Sequence, residues 1–116
     1  LPRAWDEEFA RLFGFEPATD REGVLQDVHW SSGDFGYFPT YALGNLYGAQ
    51  IWAHIQNTIG LNAGDVEGIS SYLKHAVYEK GALQTGRRTA ESVTGKALDA
   101  TVFTSYLENK FSRLFG

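Results

Sequence analysis

The chain of 116 residues contains no cysteine. It can therefore form no disulfide, supply no thiolate ligands to a zinc finger or iron–sulfur cluster, and provide no thiol nucleophile. It also contains no methionine, so we expect Leu1 to be the trimmed or processed end of a longer protein. The sequence has no basic segment followed by an apolar run of the kind that directs secretion, so we expect a cytoplasmic protein.

Positive charge is also scarce. Lysine and arginine number 10 against 14 aspartates and glutamates, which gives a net charge of −4. A nucleic-acid-binding domain usually carries a basic surface, so we expect no nucleic-acid partner. Hydrophobic residues make up 43% and charged residues 21%, an ordinary globular composition. This length suits one core, so residues 1–116 are predicted to form a single helical segment.

No charged residue occurs from Phe35 to Gly64. A membrane-spanning helix would need about 20 mostly apolar residues, and each polar side chain inside the bilayer is costly. This stretch contains amides and a histidine: Asn45, Gln50, His54, Gln56 and Asn57. We therefore expect no membrane partner, and predict a helix that other protein surrounds on nearly all sides.

Helical spacing recurs along the chain, and no segment alternates with the period of a strand. Trp5, Phe9 and Leu12 predict an amphipathic helix that ends at Gly14. Thr19 and Glu22 have the spacing of a capping box, which predicts a second helix to about Trp30. The pattern as a whole predicts an all-α fold of about five or six helices.

The uncharged stretch predicts the longest helix, from about Pro39 to Ile59, because proline suits the first helical turn. Two glycines within it, Gly44 and Gly48, share one face and would let another helix approach closely. Each glycine costs about 1 kcal/mol relative to alanine inside a helix. We therefore predict one long, buried, central helix.

Three further helices follow in the prediction. Asn62 or Asp65 caps the first of them, which ends at Gly81. The segment from Thr89 to Ser92 can cap a short helix that ends at Gly95. Asp99 opens the last helix, which carries its core face to Leu114.

The chain lacks the residues of a self-contained catalytic centre. A zinc enzyme needs about three protein ligands, but His29, His54 and His75 lie far apart and form no H-x-x-x-H pair. No HExxH, phosphate-binding loop, G-x-S-x-G or dinucleotide fingerprint is present. We therefore predict no metal ligand among these residues.

One cluster could carry chemistry, in the segment 26–41. His29 is followed at 8 and 12 residues by Tyr37 and Tyr41, which would face the same way if the turn were helical. Three neutral donors around one point would suit an oxyanion that forms in a transition state. The alternative is that Asp27 caps or orients His29 and the tyrosines are core residues with satisfied hydroxyls.

The same segment resembles the carboxypeptidase Taq family of helical zinc metallocarboxypeptidases. The run Gly23–Trp30 matches that family's GxxQDxHW motif, and the run Gly36–Tyr47, which includes GYFPTY, is similar to the family's next segment. The similarity continues through Gly86-Arg87-Arg88, Ala90-Glu91, Thr94-Gly95 and Tyr106-Leu107. It covers essentially the whole chain, in order.

The resemblance implies that the chain is the C-terminal portion of such an enzyme. The family's HExxH, its further glutamate ligand and an arginine for the substrate carboxylate would lie outside these residues. In the parent enzyme zinc, or another divalent metal, would activate a water that attacks the last peptide bond. The implied partners are a peptide substrate and the remainder of the enzyme. Separately, the uncharged helix predicted from Pro39 to Ile59 leads us to expect a homodimer. This chain alone would be inactive.

The resemblance also implies roles within the cleft. His29 would hydrogen-bond the substrate backbone, and Tyr37 or Tyr41 would donate to the oxyanion. Asp27 would orient His29, and Gln26 would either bind substrate or brace its turn. Trp30, Phe35 and Phe38 are interpreted as packing residues, and His75, Arg87 and Arg88 as solvated ones. The competing interpretation of the chain is a non-catalytic helical module that binds a partner.

Overall fold

A computed structural model describes residues 1–116. Its regular secondary structure consists of helices joined by turns and loops, with no strand. The prediction of an all-α fold is therefore confirmed. The α-helices are α1 (Pro2–Phe13), α2 (Pro39–His54), α3 (Val66–Ala76), α4 (Gly86–Thr94) and α5 (Ala100–Phe115). No helix combines the length and the apolar composition needed to cross a bilayer.

The chain divides into two compact units, residues 1–40 and residues 41–116. In the first unit α1 begins with Pro2 in its first turn and ends at Gly14, whose φ of 80° lets it close the helix in the left-handed conformation. The Trp5 ring packs edge-on against that of Trp30, with centroids 6.1 Å apart. This contact holds α1 against the turns that follow it.

The second predicted helix does not form. The Thr19 hydroxyl accepts from the Glu22 N–H at 3.3 Å, as a capping box requires, but only turns follow. Two short 3₁₀ helices, Val24–Gln26 and Val28–Ser32, replace the α-helix. Gly23 is the physical reason: its backbone leaves helical geometry at φ −111° and ψ −113°, and it lies so close to Pro17 that a Cβ would stand 3.1 Å from that ring.

The predicted long helix does form, as α2 followed by a π-helical turn, Ile55–Ile59, that ends at Gly60. Within residues 1–116 alone, most of this helix is not buried. Gln50 is the one fully buried residue of α2, and Leu43 is 42% exposed. The other helices of the second unit leave part of α2 exposed, although α2 has no charged side to present to water.

Side-chain caps define two of the other helices in the second unit. The Asp99 carboxylate accepts from the Thr101 N–H at 2.9 Å and starts α5 where the sequence predicted. Helix α4 ends at Gly95 as predicted, but it begins at Gly86, because Thr85 rather than Thr89 caps it by accepting from the Arg88 N–H. Asp65 occupies the cap position of α3.

Candidate functional site

Asp27 and His29 form a partly buried pair in the first unit. Asp27 caps the 3₁₀ helix Val28–Ser32, and one carboxylate oxygen, Oδ1, accepts from the His29 backbone N–H at 3.1 Å. The same oxygen lies 2.8 Å from His29 Nδ1. The Asp27 side chain is 9% exposed and that of His29 is 19% exposed. The carboxylate therefore fixes both the backbone and the ring of the histidine.

Tyr37 lies beside this pair. Its ring centroid is 4.9 Å from that of His29, and the Phe38 centroid is 5.6 Å away on the same imidazole. The Tyr37 carbonyl accepts from the Thr40 N–H at 2.9 Å and from the Thr40 hydroxyl at 2.7 Å. The backbone at Tyr37 is thus held, while its side chain is 48% exposed. The structure brings Asp27, His29 and Tyr37 together.

Tyr41 stands in the first turn of α2, at the start of the second unit, and is exposed. Tyr37 precedes the first residue of α2, Pro39, so the two tyrosines do not belong to one α-helix. Gln26 donates from Nε2 to the Arg21 carbonyl at 2.6 Å. Of its two predicted roles, bracing the turn is the one that this contact serves.

The other residues that the sequence singled out have ordinary structural surroundings. His54 is half-buried, with its ring 6.4 Å from that of Tyr72. His75 is exposed and pairs with Glu79 at 3.0 Å. Arg87 is exposed and pairs with Glu91. Phe35 is exposed in this chain, so its predicted packing role is not fulfilled here.

One polar residue with a large structural role was missed. Gln50, 5% exposed, donates from Nε2 to the Ala97 carbonyl at 2.9 Å and accepts at Oε1 from the Asp99 N–H at 2.9 Å. Thr94 and the Lys96 carbonyl lie within 3.4 Å of the same nitrogen. Gln50 therefore joins α2 to the connection between α4 and α5. The available signal was an amide in the middle of an uncharged helix.

The residues present do not form a metal site. No group of three or more histidine, cysteine, aspartate or glutamate side chains is arranged to hold an ion. The Asp27–His29 pair offers two such groups, but they bond to each other. No catalytic step through a metal can be assigned to this chain.

Comparison with known proteins places these features in a family. The family model described as "Carboxypeptidase Taq (M32) metallopeptidase" matches residues 1–111. The chain is 38% identical to thermostable carboxypeptidase 1 of Thermus thermophilus and 37% identical to carboxypeptidase 1 of Bacillus subtilis, over 100% and 99% of its length. A crystal structure of the M32 carboxypeptidase from Deinococcus radiodurans R1 superposes with a TM-score of 0.83 at 32% identity and covers 100% of the chain.

These relatives are much longer than this chain, which spans 24% of the length of each of the three. The family match nevertheless extends over residues 1–111, and it includes the segment that holds Asp27, His29 and Tyr37. The sequence match and the structural superposition point to the same family. The chain belongs to the carboxypeptidase Taq (M32) metallopeptidase family.

Proposed function

We propose that this chain is one part of a metallocarboxypeptidase that releases C-terminal amino acids from peptides, and that the segment 26–41 forms a wall of its substrate cleft. Membership of a metallopeptidase family supports the reaction class. The observation that carries the cleft assignment is the buried Asp27 carboxylate 2.8 Å from His29 Nδ1, with the half-exposed Tyr37 ring beside the imidazole. A fixed imidazole beside an accessible phenol is suited to bind a peptide backbone.

The proposed roles follow from the chemistry of these groups. His29 hydrogen-bonds the substrate backbone, and the hydroxyl of Tyr37 or Tyr41 donates to the oxyanion that forms when the peptide carbonyl is attacked. Asp27 holds His29, and Gln26 braces the turn through Arg21. The position of Tyr37 beside His29 in the first unit supports a role for its hydroxyl.

The metal ligands of the complete enzyme belong, in this proposal, to residues outside the chain. The metal is zinc or another divalent ion, the substrate is a peptide in the cytoplasm, and the remainder of the enzyme covers α2. Membership of a metallopeptidase family supports a metal-dependent peptidase, and the chain's own residues supply no ligand set.

The chain alone is expected to bind no zinc with micromolar or tighter affinity and to release no amino acid from peptides. The reason is that its three histidines do not share a site. Calorimetric zinc titration and an assay of C-terminal amino acid release measure this directly. Mixing the chain with a second polypeptide that carries the rest of the enzyme should restore turnover. A stoichiometric zinc site or turnover in the chain alone would contradict the proposal.

A second candidate function, a non-catalytic helical module that binds a partner, has one observation in its favour. The second unit leaves an open groove of about 950 Å³ along α2 and α5, with aromatic rings from both helices on its walls: Trp52 and Tyr106. Large exposed apolar surfaces tend to mediate contacts. The zinc and complementation experiments separate the two functions, since a binding module would gain no activity from the rest of the enzyme.

Under either function, the isolated chain is expected to dimerise or aggregate by burying part of α2. Leu43, on α2, is 42% exposed, and the helix carries no charge to oppose association. Sedimentation at increasing concentration, with binding of a hydrophobic dye, measures the effect. Leu43→Glu should weaken association, whereas Leu83→Glu, at a position already 88% exposed outside α2, should not. A strictly monomeric chain that binds no dye would refute this expectation.

A further inference from the structure

For a neutral imidazole, the geometry of the Asp27–His29 pair favours hydrogen on one of the two ring nitrogens. Asp27 Oδ1 lies 2.8 Å from Nδ1 and also accepts from the His29 backbone N–H at 3.1 Å. An ionised carboxylate has no hydrogen to donate, so the hydrogen of this contact must be on the imidazole nitrogen. A neutral imidazole carries one N–H, so its Nε2 then has a lone pair.

The partial burial of the pair disfavours the opposite neutral tautomer. The Asp27 side chain is 9% exposed and is fixed at the start of the 3₁₀ helix by the backbone hydrogen bond. The opposite tautomer would place a lone pair on Nδ1 against a carboxylate oxygen, leaving two acceptors facing each other with little access to water. A buried acceptor without a donor is costly, so that tautomer is disfavoured.

We propose that Asp27 is a positioning residue that holds His29 in the Nδ1–H tautomer, so that neutral His29 presents an acceptor at Nε2 to a backbone N–H of the bound peptide. This rests on the proposed function, which places His29 in the substrate cleft. It differs from the expectation drawn from the spacing of the residues, in which His29 is one of three neutral donors around an oxyanion. The oxyanion donors are then the tyrosine hydroxyls. His29 instead accepts a hydrogen bond from a backbone N–H of the peptide.

The tautomer can be measured without any activity. Solid-state ¹⁵N NMR of histidine-labelled chain distinguishes protonated from bare ring nitrogens, and it does so whether or not the chain associates. The chain has three histidines, and the His29 signals are assigned by their loss in His29→Gln. His75 provides a matched comparison for the histidine–carboxylate contact, because its Nδ1 lies 3.0 Å from the Glu79 carboxylate on the exposed surface. Glu79→Gln removes the charge of that carboxylate and is the control variant for the His75 signals.

Two substitutions separate positioning of the ring from capping of the helix. Asp27→Asn keeps an oxygen at the same distance, which can accept from both the backbone and the ring. Asp27→Ser keeps a good cap for the His29 N–H, but its hydroxyl is one bond shorter and does not reach Nδ1. The Asn variant should therefore retain the Nδ1–H tautomer, and the Ser variant should lose it, with similar melting temperatures.

In the complete enzyme, kcat/KM should follow the tautomer. Loss of a group that orients a functional histidine typically lowers activity about 10–100-fold, so Asp27→Ser should fall in that range and Asp27→Asn should stay close to wild type. An N-methylated peptide that lacks the accepted N–H should erase the difference between Asp27→Ser and wild type. A hydrogen on Nε2 rather than Nδ1 of wild-type His29, or a Ser variant as active as the Asn variant, would overturn the proposal.

The same measurements distinguish failure of the cleft assignment from failure of the acceptor role of His29. If wild-type His29 has the Nδ1–H tautomer but neither Asp27→Ser nor His29→Ala changes kcat/KM, Asp27 positions the ring and the cleft assignment is wrong. If His29→Ala lowers kcat/KM and wild-type His29 carries hydrogen on Nε2, the cleft assignment stands and the acceptor role is wrong.

Discussion

In the complete carboxypeptidase, removing the hydroxyl that donates to the oxyanion should lower kcat about a hundred- to a thousandfold, the equivalent of about 2.7–4 kcal/mol. Tyr37→Phe is the variant expected to show this loss, and Tyr41→Phe tests the other candidate. The loss should appear mainly in kcat, because the hydrogen bond strengthens as the oxyanion develops. His29→Ala should cost at least as much. Steady-state kinetics, metal analysis and thermal melts on each variant measure these effects.

Matched controls come from the surface of the second unit. Tyr78→Phe and His75→Ala make the same chemical changes at exposed positions and should leave kcat unchanged. If the cluster is only a packed core, the tyrosine variants should turn over normally and melt at lower temperature. Retention of more than about a third of wild-type kcat by all three site variants, far from the loss expected for a donor, would exclude the cleft assignment.

Gln50→Leu should destabilise the chain more than any exposed substitution. Leucine has a similar size but cannot accept from the Asp99 N–H or donate to the Ala97 carbonyl. Ala97 and Asp99 are exposed residues, so each lost hydrogen bond costs its net contribution of about 0.5–1.5 kcal/mol, which gives a loss of about 1–3 kcal/mol for the two. At this chain length the midpoint of thermal unfolding should fall by roughly 4 °C or more. Calorimetric melts at fixed concentration measure the change.

Two further variants define the origin of that loss. Gln50→Glu keeps an acceptor for the Asp99 N–H but removes the donor, so it should lie on the destabilised side and show which half of the amide matters more. Gln84→Leu changes an exposed glutamine and should shift stability by no more than about 0.5 kcal/mol. A Gln50→Leu chain that melts with the Gln84→Leu control would show that the hydrogen bonds of Gln50 contribute nothing net.

Helix ends were predictable from sequence where a local signal determines them. Gly14 and Gly95 end α1 and α4 in the left-handed conformation, at φ of 80° and 70°. Asp99 starts α5 through a hydrogen bond two residues along the chain. These are interactions between near neighbours, so residue type and spacing are sufficient to locate them.

The segment 19–30 was not predictable in this way, because its signals conflict. Thr19 and Glu22 favour a helix start, but Asp27 competes by bonding the His29 N–H, which begins a new turn. Gly23 then departs from helical geometry against Pro17, a contact that depends on how the first unit packs. The capping signal of Thr19 and Glu22 therefore does not produce an α-helix, because packing at Gly23 prevents it.

The candidate site was predictable to the same extent. The bond from Asp27 to His29 spans two residues and was anticipated, whereas the approach of Tyr37 depends on turns at Gly33 and Gly36, whose φ values are 81° and 79°. The partners of Gln50 lie more than 40 positions away along the chain. No local pattern encodes contacts at that separation, so its role emerges only from the fold.

The π-helical turn at the end of α2 has a consequence for the register of the helix. A π turn holds about one residue more than an α turn, and an extra residue in a regular helix would rotate all that follows by about 100°. Ile55, at 2% exposure, opens this turn and Gly60 closes it. The extra residue of the π turn therefore lies after Gln50. The rotation that it causes affects only the residues that follow, and the Gln50 amide keeps its hydrogen bonds to Ala97 and Asp99.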